Sequence, residues 1–149
     1  MFTAQIAEKD LRTISHWAKK LEQFPFWGKA ALEELLATEF RVGVYLDADT
    51  FPVAYASITP EGTPDGCDRG ALWFDHLYVD EHVRGRGLVD ILFRSQLDYV
   101  RRYPKRRILC VPMDVYVAAF WERRGWQKYR DALHAPLGVY ELPRVCVGS

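Results

Sequence analysis

Six consecutive residues, Val83-Arg84-Gly85-Arg86-Gly87-Leu88, combine the types that hold an anion through the backbone. Glycines let the main chain pass close to a ligand. The first amides of a following helix point outward unpaired, and arginines add donors in a fixed fork. Arg-Gly-x-Gly alone also occurs in disordered tails and plain turns, so the flanks decide its meaning. Upstream, Ala71 to Val79 is rich in the aromatic and branched residues of a buried strand. Downstream, Leu88 to Arg102 reads as a helix whose polar residues, Asp90, Arg94, Asp98, Arg101 and Arg102, fall on one stripe at 100° per residue. A strand, a two-glycine turn and a helix make a phosphate site. The dinucleotide fingerprint fails because Gly85-x-Gly87 is followed by Asp90 where a third glycine is needed, and the Walker ending is absent.

The elements that must position this turn follow from the rest of the chain. Its 149 residues suit one domain with a full core. Hydrophobic residues make up 49% and aromatics 14%, which excludes a disordered chain. The formal net charge is zero, so no global attraction to nucleic acid or an anionic membrane is built in. Cys67, Cys110 and Cys146 lie far apart, without zinc spacing, and predict reduced thiols in a cytoplasmic protein that binds no metal. Charges at Glu8-Lys9-Asp10 argue against a signal peptide, and no apolar run approaches the ~18 residues of a membrane span.

Phe2 to Ala7 reads as a first strand. Asp10 then caps a helix with Leu11, Ile14, Trp17, Ala18 and Leu21 on one face. Phe24-Pro25-Phe26-Trp27-Gly28 breaks it, and a second helix runs through Ala31, Leu32, Leu35, Leu36 and Phe40. Arg41–Leu46 and Phe51–Ile58 form a hairpin around Asp47-Ala48-Asp49-Thr50, and Thr59 to Gly70 is a loop. After the central strand and helix come a strand at Arg107–Val111, a helix capped by Asp114 and ending at Gly125, and strands at Trp126–Leu133 and Gly138–Leu142. The order is β-α-α-β-β-β-α-β-α-β-β, an α/β mixed sheet of about seven strands with helices on both faces.

That order resembles the GCN5-related N-acetyltransferase (GNAT) family over essentially the whole chain. Leu77-Tyr78-Val79-Asp80-Glu81-His82-Val83-Arg84-Gly85-Arg86-Gly87-Leu88 is similar to the family's L-x-V-x-p-x-x-R-G-x-G segment. Ala118-Ala119-Phe120-Trp121-Glu122-Arg123-Arg124-Gly125-Trp126 is similar to its A-x-x-F-Y-E-K-x-G-F segment. The resemblance implies acetyl-CoA as cosubstrate and direct attack by an amine on the thioester. It implies that Leu77, Tyr78 and Val79 offer backbone groups to the pantetheine arm, and that the amides from Arg84, Gly85, Arg86, Gly87 and Leu88 to Val89 cradle the pyrophosphate. The Val79 amide would polarise the thioester carbonyl.

The chain departs from the family pattern at His82, at Val89 and, most consequentially, at Trp121. That last position usually holds a tyrosine whose hydroxyl meets the leaving thiolate, and an indole N–H can donate a hydrogen bond but not its proton. Either the thiolate leaves unassisted, or Tyr116 or Tyr129 supplies the proton, or the protein is catalytically slow; the rival reading is a non-catalytic acyl-CoA-binding sensor or scaffold of the same fold. Asp114 stands where asparagine is frequent, and helix capping accounts for it. An amine acceptor with a pKa near ~10.4 needs a base or water relay. Asp75 and His76, just before the pantetheine segment, are the candidates, and strand alternation sends them to opposite faces. His76 reads equally as a satisfied core histidine; Asp75 on a buried strand needs a partner or a role. The aromatic run Phe24–Trp27 is an acceptor wall or core, and the basic run Arg101–Arg107 a solvated loop. The acceptor itself is not legible, and a homodimer through Val139–Val147 remains open.

Overall fold

The structure, a computed structural model, describes residues 2–5, 10–24, 30–46, 51–63 and 65–148. Seven strands and four α-helices follow in the order β1 (Phe2–Gln5), α1 (Leu11–Leu21), α2 (Ala31–Leu36), β2 (Phe40–Tyr45), β3 (Ala54–Thr59), β4 (Leu72–Val79), α3 (Leu88–Val100), β5 (Ile108–Cys110), α4 (Val115–Glu122), β6 (Gln127–Ala132) and β7 (Ala135–Glu141). The strands form one mixed sheet, ordered β1-β2-β3-β4-β5-β7-β6. β4 and β5 pair in parallel, while β1–β2, β2–β3, β5–β7 and β6–β7 pair antiparallel. The class and element order match the sequence reading. The expected end of β1 at Ala7, residues 25–28 of the expected break and the hairpin turn at Asp47–Thr50 lie outside the described residues.

The chain divides into two compact units whose boundary falls inside β4. Met1–Ile58 joins His76–Gln96, and Thr59–Asp75 joins Leu97–Ser149.

In the first unit, α1 starts because Asp10 accepts a hydrogen bond from the Thr13 amide (3.2 Å) and another from the Thr13 hydroxyl (2.8 Å). Lys19 and Lys20 close its last turn, where the helix dipole favours cations. Its face of Ile14, Trp17, Ala18 and Leu21 packs with Ala31 and Leu35 of α2, Tyr55 of β3 and Tyr78 of β4. Leu11, expected on that face, is exposed in the first turn. Phe40, expected as the end of α2, instead opens β2. The Thr38 hydroxyl donates to the Leu35 carbonyl (2.7 Å) and Arg41 Nη1 donates to the same oxygen (2.6 Å), which closes the helix. The Glu39 amide already donates to Ile58, so sheet pairing begins there.

The second unit is built on Ala71 and Trp73 of the β4 side, Leu109 of β5 and Val139 of β7. α3 ends at Val100, two residues before the expected Arg102, because Arg144 takes the free carbonyls: Nη1 donates to Val100 (3.0 Å) and Nη2 to Tyr103 and Arg106. β6 turns directly into β7 through Leu133 and His134, the latter at φ +62, so β7 starts three residues ahead of the expected Gly138.

Candidate active site

Within the first unit, β4 delivers Leu77, Tyr78 and Val79 to a turn fixed at several points. The Asp80 amide donates to the Val53 carbonyl (2.8 Å). One short 3-10 turn, Glu81–Val83, follows and buries Val83 as its anchor. Arg84 leaves it extended, and its Nε donates back to the Val79 carbonyl at 3.0 Å. Gly85 and Gly87 then adopt φ +80 and +76, left-handed values that a side chain resists by roughly 1–2 kcal/mol. α3 begins with the buried Leu88, and the Ile91 amide is the one that reaches back to Gly87. The amides of Leu88 and Val89 therefore precede the intrahelical ladder and face outward.

A Cβ placed on Gly85 or on Gly87 would meet no heavy atom within 4 Å. The space over the turn is open, and Arg84, Gly85, Arg86 and Gly87 are all exposed around it. Free amides at a thirteen-residue helix start, two left-handed glycines and two guanidinium groups suit a diphosphate. The residues expected to hold the pyrophosphate of CoA fit that group.

The Tyr78 ring belongs to the core, edge-on to Phe24 at 6.2 Å. Tyr78 also lines an open groove of about 570 Å³ with Lys20, Gln23, Asp80, Glu81 and His82. Burial, then the Asp80 charge, raises the Tyr78 pKa. Lys20 Nζ stands 3.8 Å from Asp80 Oδ1.

The two residues nominated as bases part company. His76 is 1% exposed, at φ +53, a left-handed residue inside the strand, while burial still alternates from half-buried Asp75 through His76 to Val79. Its Nε2 lies 2.9 Å from Glu34 Oε2 and its Nδ1 2.8 Å from Ser57 Oγ. A carboxylate only accepts, so Nε2–H donates to Glu34, and in the neutral ring Nδ1 accepts the Ser57 hydroxyl. Both nitrogens are engaged inside the protein, which is the core-histidine alternative weighed from sequence. Asp75, half-buried, ends the second unit's part of β4. Burial, with the Asp75 charge as a second contribution, raises the Cys110 thiol well above its ordinary value.

The remaining nominated residues lie in the second unit. Asp114 caps α4, accepting from the amides of Tyr116 and Val117, both at 2.9 Å. Tyr116 follows at 83% exposure. Trp121 is 6% exposed, its ring 5.0 Å from Phe120 and 5.2 Å from Trp126, which in turn meets Phe74 at 5.4 Å. Tyr129 donates its hydroxyl to Asp68 (3.2 Å) under the Arg107 guanidinium. The basic run is held to backbone: Arg101 donates to Val147 (2.8 Å) and Arg106 to Gly70 (2.5 Å). Among the described residues, no group of three or more His, Cys, Asp or Glu gathers as a metal site.

The first unit thus brings together His76, Leu77–Val79 and the 84–89 turn. Asp75, Tyr116 and Trp121 fall in the second. Sequence reasoning missed Ser57, Glu34 and Gln96. Each is a polar residue on a helix or strand, with nothing local to mark it; only Gln96, buried at 2% with Nε2 donating to the Ser57 carbonyl (2.9 Å), shows the connection.

A seven-stranded mixed sheet whose central strand runs through a two-glycine turn into a helix defines the acyl-CoA N-acyltransferase class of fold. Solved structures share it. The GNAT family N-acetyltransferase YhbS from Escherichia coli, in complex with CoA, is 16% identical with a TM-score of 0.69, over 99% of this chain and 84% of that one. A GNAT family acetyltransferase from Brucella melitensis, in complex with acetyl-CoA, is 14% identical with a TM-score of 0.64, over 93% of this chain and 84% of that one. The chain belongs to the acetyltransferase (GNAT) family, whose family model matches residues 9–126. Among curated relatives, a probable spermine N(1)-acetyltransferase from Bacillus subtilis subsp. natto is 22% identical over 89 residues, 58% of this chain and 58% of that protein.

Proposed function

We propose that the protein is an acetyl-CoA-dependent N-acetyltransferase that acts on a primary amine in a ternary complex. The observation that carries this is the turn itself: two left-handed glycines with open space above them, at the start of α3. Acetyl-CoA, when bound, would supply a thioester whose acyl carbon the amine attacks, forming a C–N bond as the C–S bond breaks. This chain's residues bind and orient. The amides from Gly85 to Val89 take the diphosphate, that of Arg84 already donating to the Glu81 carbonyl (3.4 Å), and the backbone of Leu77–Val79 takes the pantetheine arm, with the Val79 amide donating toward the developing oxyanion.

For the acceptor, the groove beside Tyr78 carries Glu81 and Asp80, the latter 3.8 Å from Lys20; the net acidic lining suits a cationic amine, and the match to a spermine acetyltransferase agrees with a polyamine-like substrate. Asp75 is the carboxylate left to receive a proton, directly or through water, since His76 is sequestered. No helix among the described residues is long and apolar enough to cross a membrane, and the three cysteines are free, in keeping with a cytoplasmic setting.

A second reading, an acyl-CoA-binding protein without turnover, is favoured by one observation. The position expected to supply the leaving thiolate with a proton is the buried indole of Trp121, while Tyr116 points into solvent and Tyr129 is committed to Asp68. Release of CoA from acetyl-CoA with a panel of polyamines, amino acids and aminoglycosides separates the two. Turnover with any amine establishes the enzyme; tight CoA binding with no turnover across the panel establishes the binding protein.

A further inference from the structure

β4 has to do two incompatible things. As a central strand it should pair its backbone with a neighbour along its length. As a binding strand it must leave the β5 side of Leu77–Val79 open to a ligand. Its parallel ladder with β5 covers only Leu72, Trp73 and Phe74. The break comes two residues later, at His76, the one residue of β4 with a positive φ.

No glycine sits there to accept that conformation. Histidine tolerates it better than most residues, yet a strained residue persists only when its surroundings over-determine it. Here they do. Glu34 of α2 accepts from Nε2 at 2.9 Å, Ser57 of β3 meets Nδ1 at 2.8 Å, and the Trp17 ring of α1 stands edge-on at 6.5 Å. Ser57 is itself tied through its carbonyl to Gln96 of α3, the helix that begins at the glycine turn. A chain of hydrogen bonds, Glu34–His76–Ser57–Gln96, therefore links four elements of one unit through the residue where the strand turns aside.

We propose that His76 is a positioning residue of the donor-binding strand: clamped between Glu34 and Ser57, it holds the Leu77–Val79 backbone in the conformation that receives the pantetheine arm. This rests on the acetyl-CoA reading above. It assigns Glu34, a half-exposed side chain on a short helix, a role in cofactor binding that no contact of its own with the cofactor would provide.

The test compares CoA with 3′-phosphoadenosine 5′-diphosphate, which has the diphosphate and nucleotide but no pantetheine. Calorimetric titration of both gives an affinity ratio that reports on the strand alone. In Glu34→Ala the nucleotide affinity is expected to stay within twofold of the parent protein, while the advantage of CoA over it falls at least fivefold. Glu34→Gln, whose amide oxygen can accept from Nε2, should recover most of that advantage. Ser57→Ala provides the same split from the other side of the ring, should Glu34→Ala fail to fold. An unchanged ratio in folded Glu34→Ala and Ser57→Ala would overturn the proposal. So would equal weakening of both ligands, which would mean general support of the fold. If the parent protein binds neither ligand, the acetyl-CoA reading falls first and this one with it.

Discussion

Replacing Gly87 with valine separates backbone strain from ligand binding. Gly87 sits at φ +76 with no atom within 4 Å of a would-be Cβ. A side chain there meets no protein atom, so the folding penalty is conformational, roughly 1–2 kcal/mol and somewhat more for a β-branched residue. At about 2–4 °C per kcal/mol for a domain of this size, Tm should drop by roughly 3–8 °C with the fold kept. Ligand binding is affected differently, because the open space is where the diphosphate would lie. At a hundred times its Kd, CoA stabilises the parent protein by about 2.7 kcal/mol, a rise of roughly 5–11 °C. A thousandfold weaker Kd in Gly87→Val leaves no measurable rise at the same concentration. Gly70→Val is the control. Gly70 is also left-handed, at φ +85, also with nothing within 4 Å of a Cβ, and it lies in the loop before β4. It should lower Tm by a similar amount and keep the full CoA-induced rise. Thermal shift with and without CoA reads both. A retained rise in Gly87→Val, or its loss in both variants, would refute the placement of the diphosphate on this turn.

Trp121→Tyr, which puts a hydroxyl where the family's acid stands, should raise kcat about 10²-fold at some loss of Tm, since the indole packs on Phe120 and Trp126. Tyr129→Phe should leave kcat unchanged, because that hydroxyl already serves Asp68; slower turnover would contradict this. His16 is held neutral: burial first, and the Lys20 charge second, lower its pKa below 6.5, while the Tyr55 hydroxyl, whose own pKa burial raises, lies 2.7 Å from Nδ1 and donates to it. The unfolded chain then binds the extra proton first, so stability is complete above pH 6.5 and declines as the pH falls below it toward the folded-state pKa. His16→Gln, whose amide accepts the same bond without titrating, should flatten that decline in denaturant titrations from pH 7 to 5; parallel curves would exclude His16 as its source.

Element order was legible because it depends on local pattern. The faces of α1 and α2, the branched run of β4, Asp10 and Asp114 as caps and the two glycines all declare themselves within a few residues. What was not legible depends on partners far along the chain. α2 stops short of Phe40 because Arg41 folds back onto Leu35, and α3 stops at Val100 because Arg144 caps it. β6 and β7 meet through Leu133–His134, a turn without glycine or asparagine, whose left-handed residue is a histidine. His76 repeats that substitution inside a strand. Alternation along β4 was legible and holds from Asp75 to Val79, but the left-handed backbone at His76 was not. Nothing local to Ser57 or Glu34 announces that they hold that residue.

The far end of the donor segment is held in the same manner as the near end, which leads to a last prediction. Arg84 reads from sequence as a phosphate ligand, and its side chain is exposed. Its Nε, however, donates to the Val79 carbonyl at 3.0 Å, where β4 ends and the turn begins. The guanidinium has five N–H donors in a planar fork, so one edge can brace the strand while the others remain for an anion; an ammonium on a flexible stem cannot keep both arrangements in one fixed geometry. Arg84→Lys and Arg86→Lys each keep the charge, yet they should differ. Losing a charged hydrogen bond at an exposed site is worth about 1 kcal/mol, toward the low end of the usual range, or roughly fivefold in CoA affinity if the bond serves the bound state. Arg86→Lys, with charge as its expected contribution, should change affinity less than twofold at low salt. A phosphate-only role for Arg84 predicts that the two variants behave alike and that 3′-phosphoadenosine 5′-diphosphate weakens as much as CoA. A bracing role predicts that Arg84→Lys weakens CoA more than the nucleotide, because the strand it steadies is the one proposed to hold the pantetheine arm.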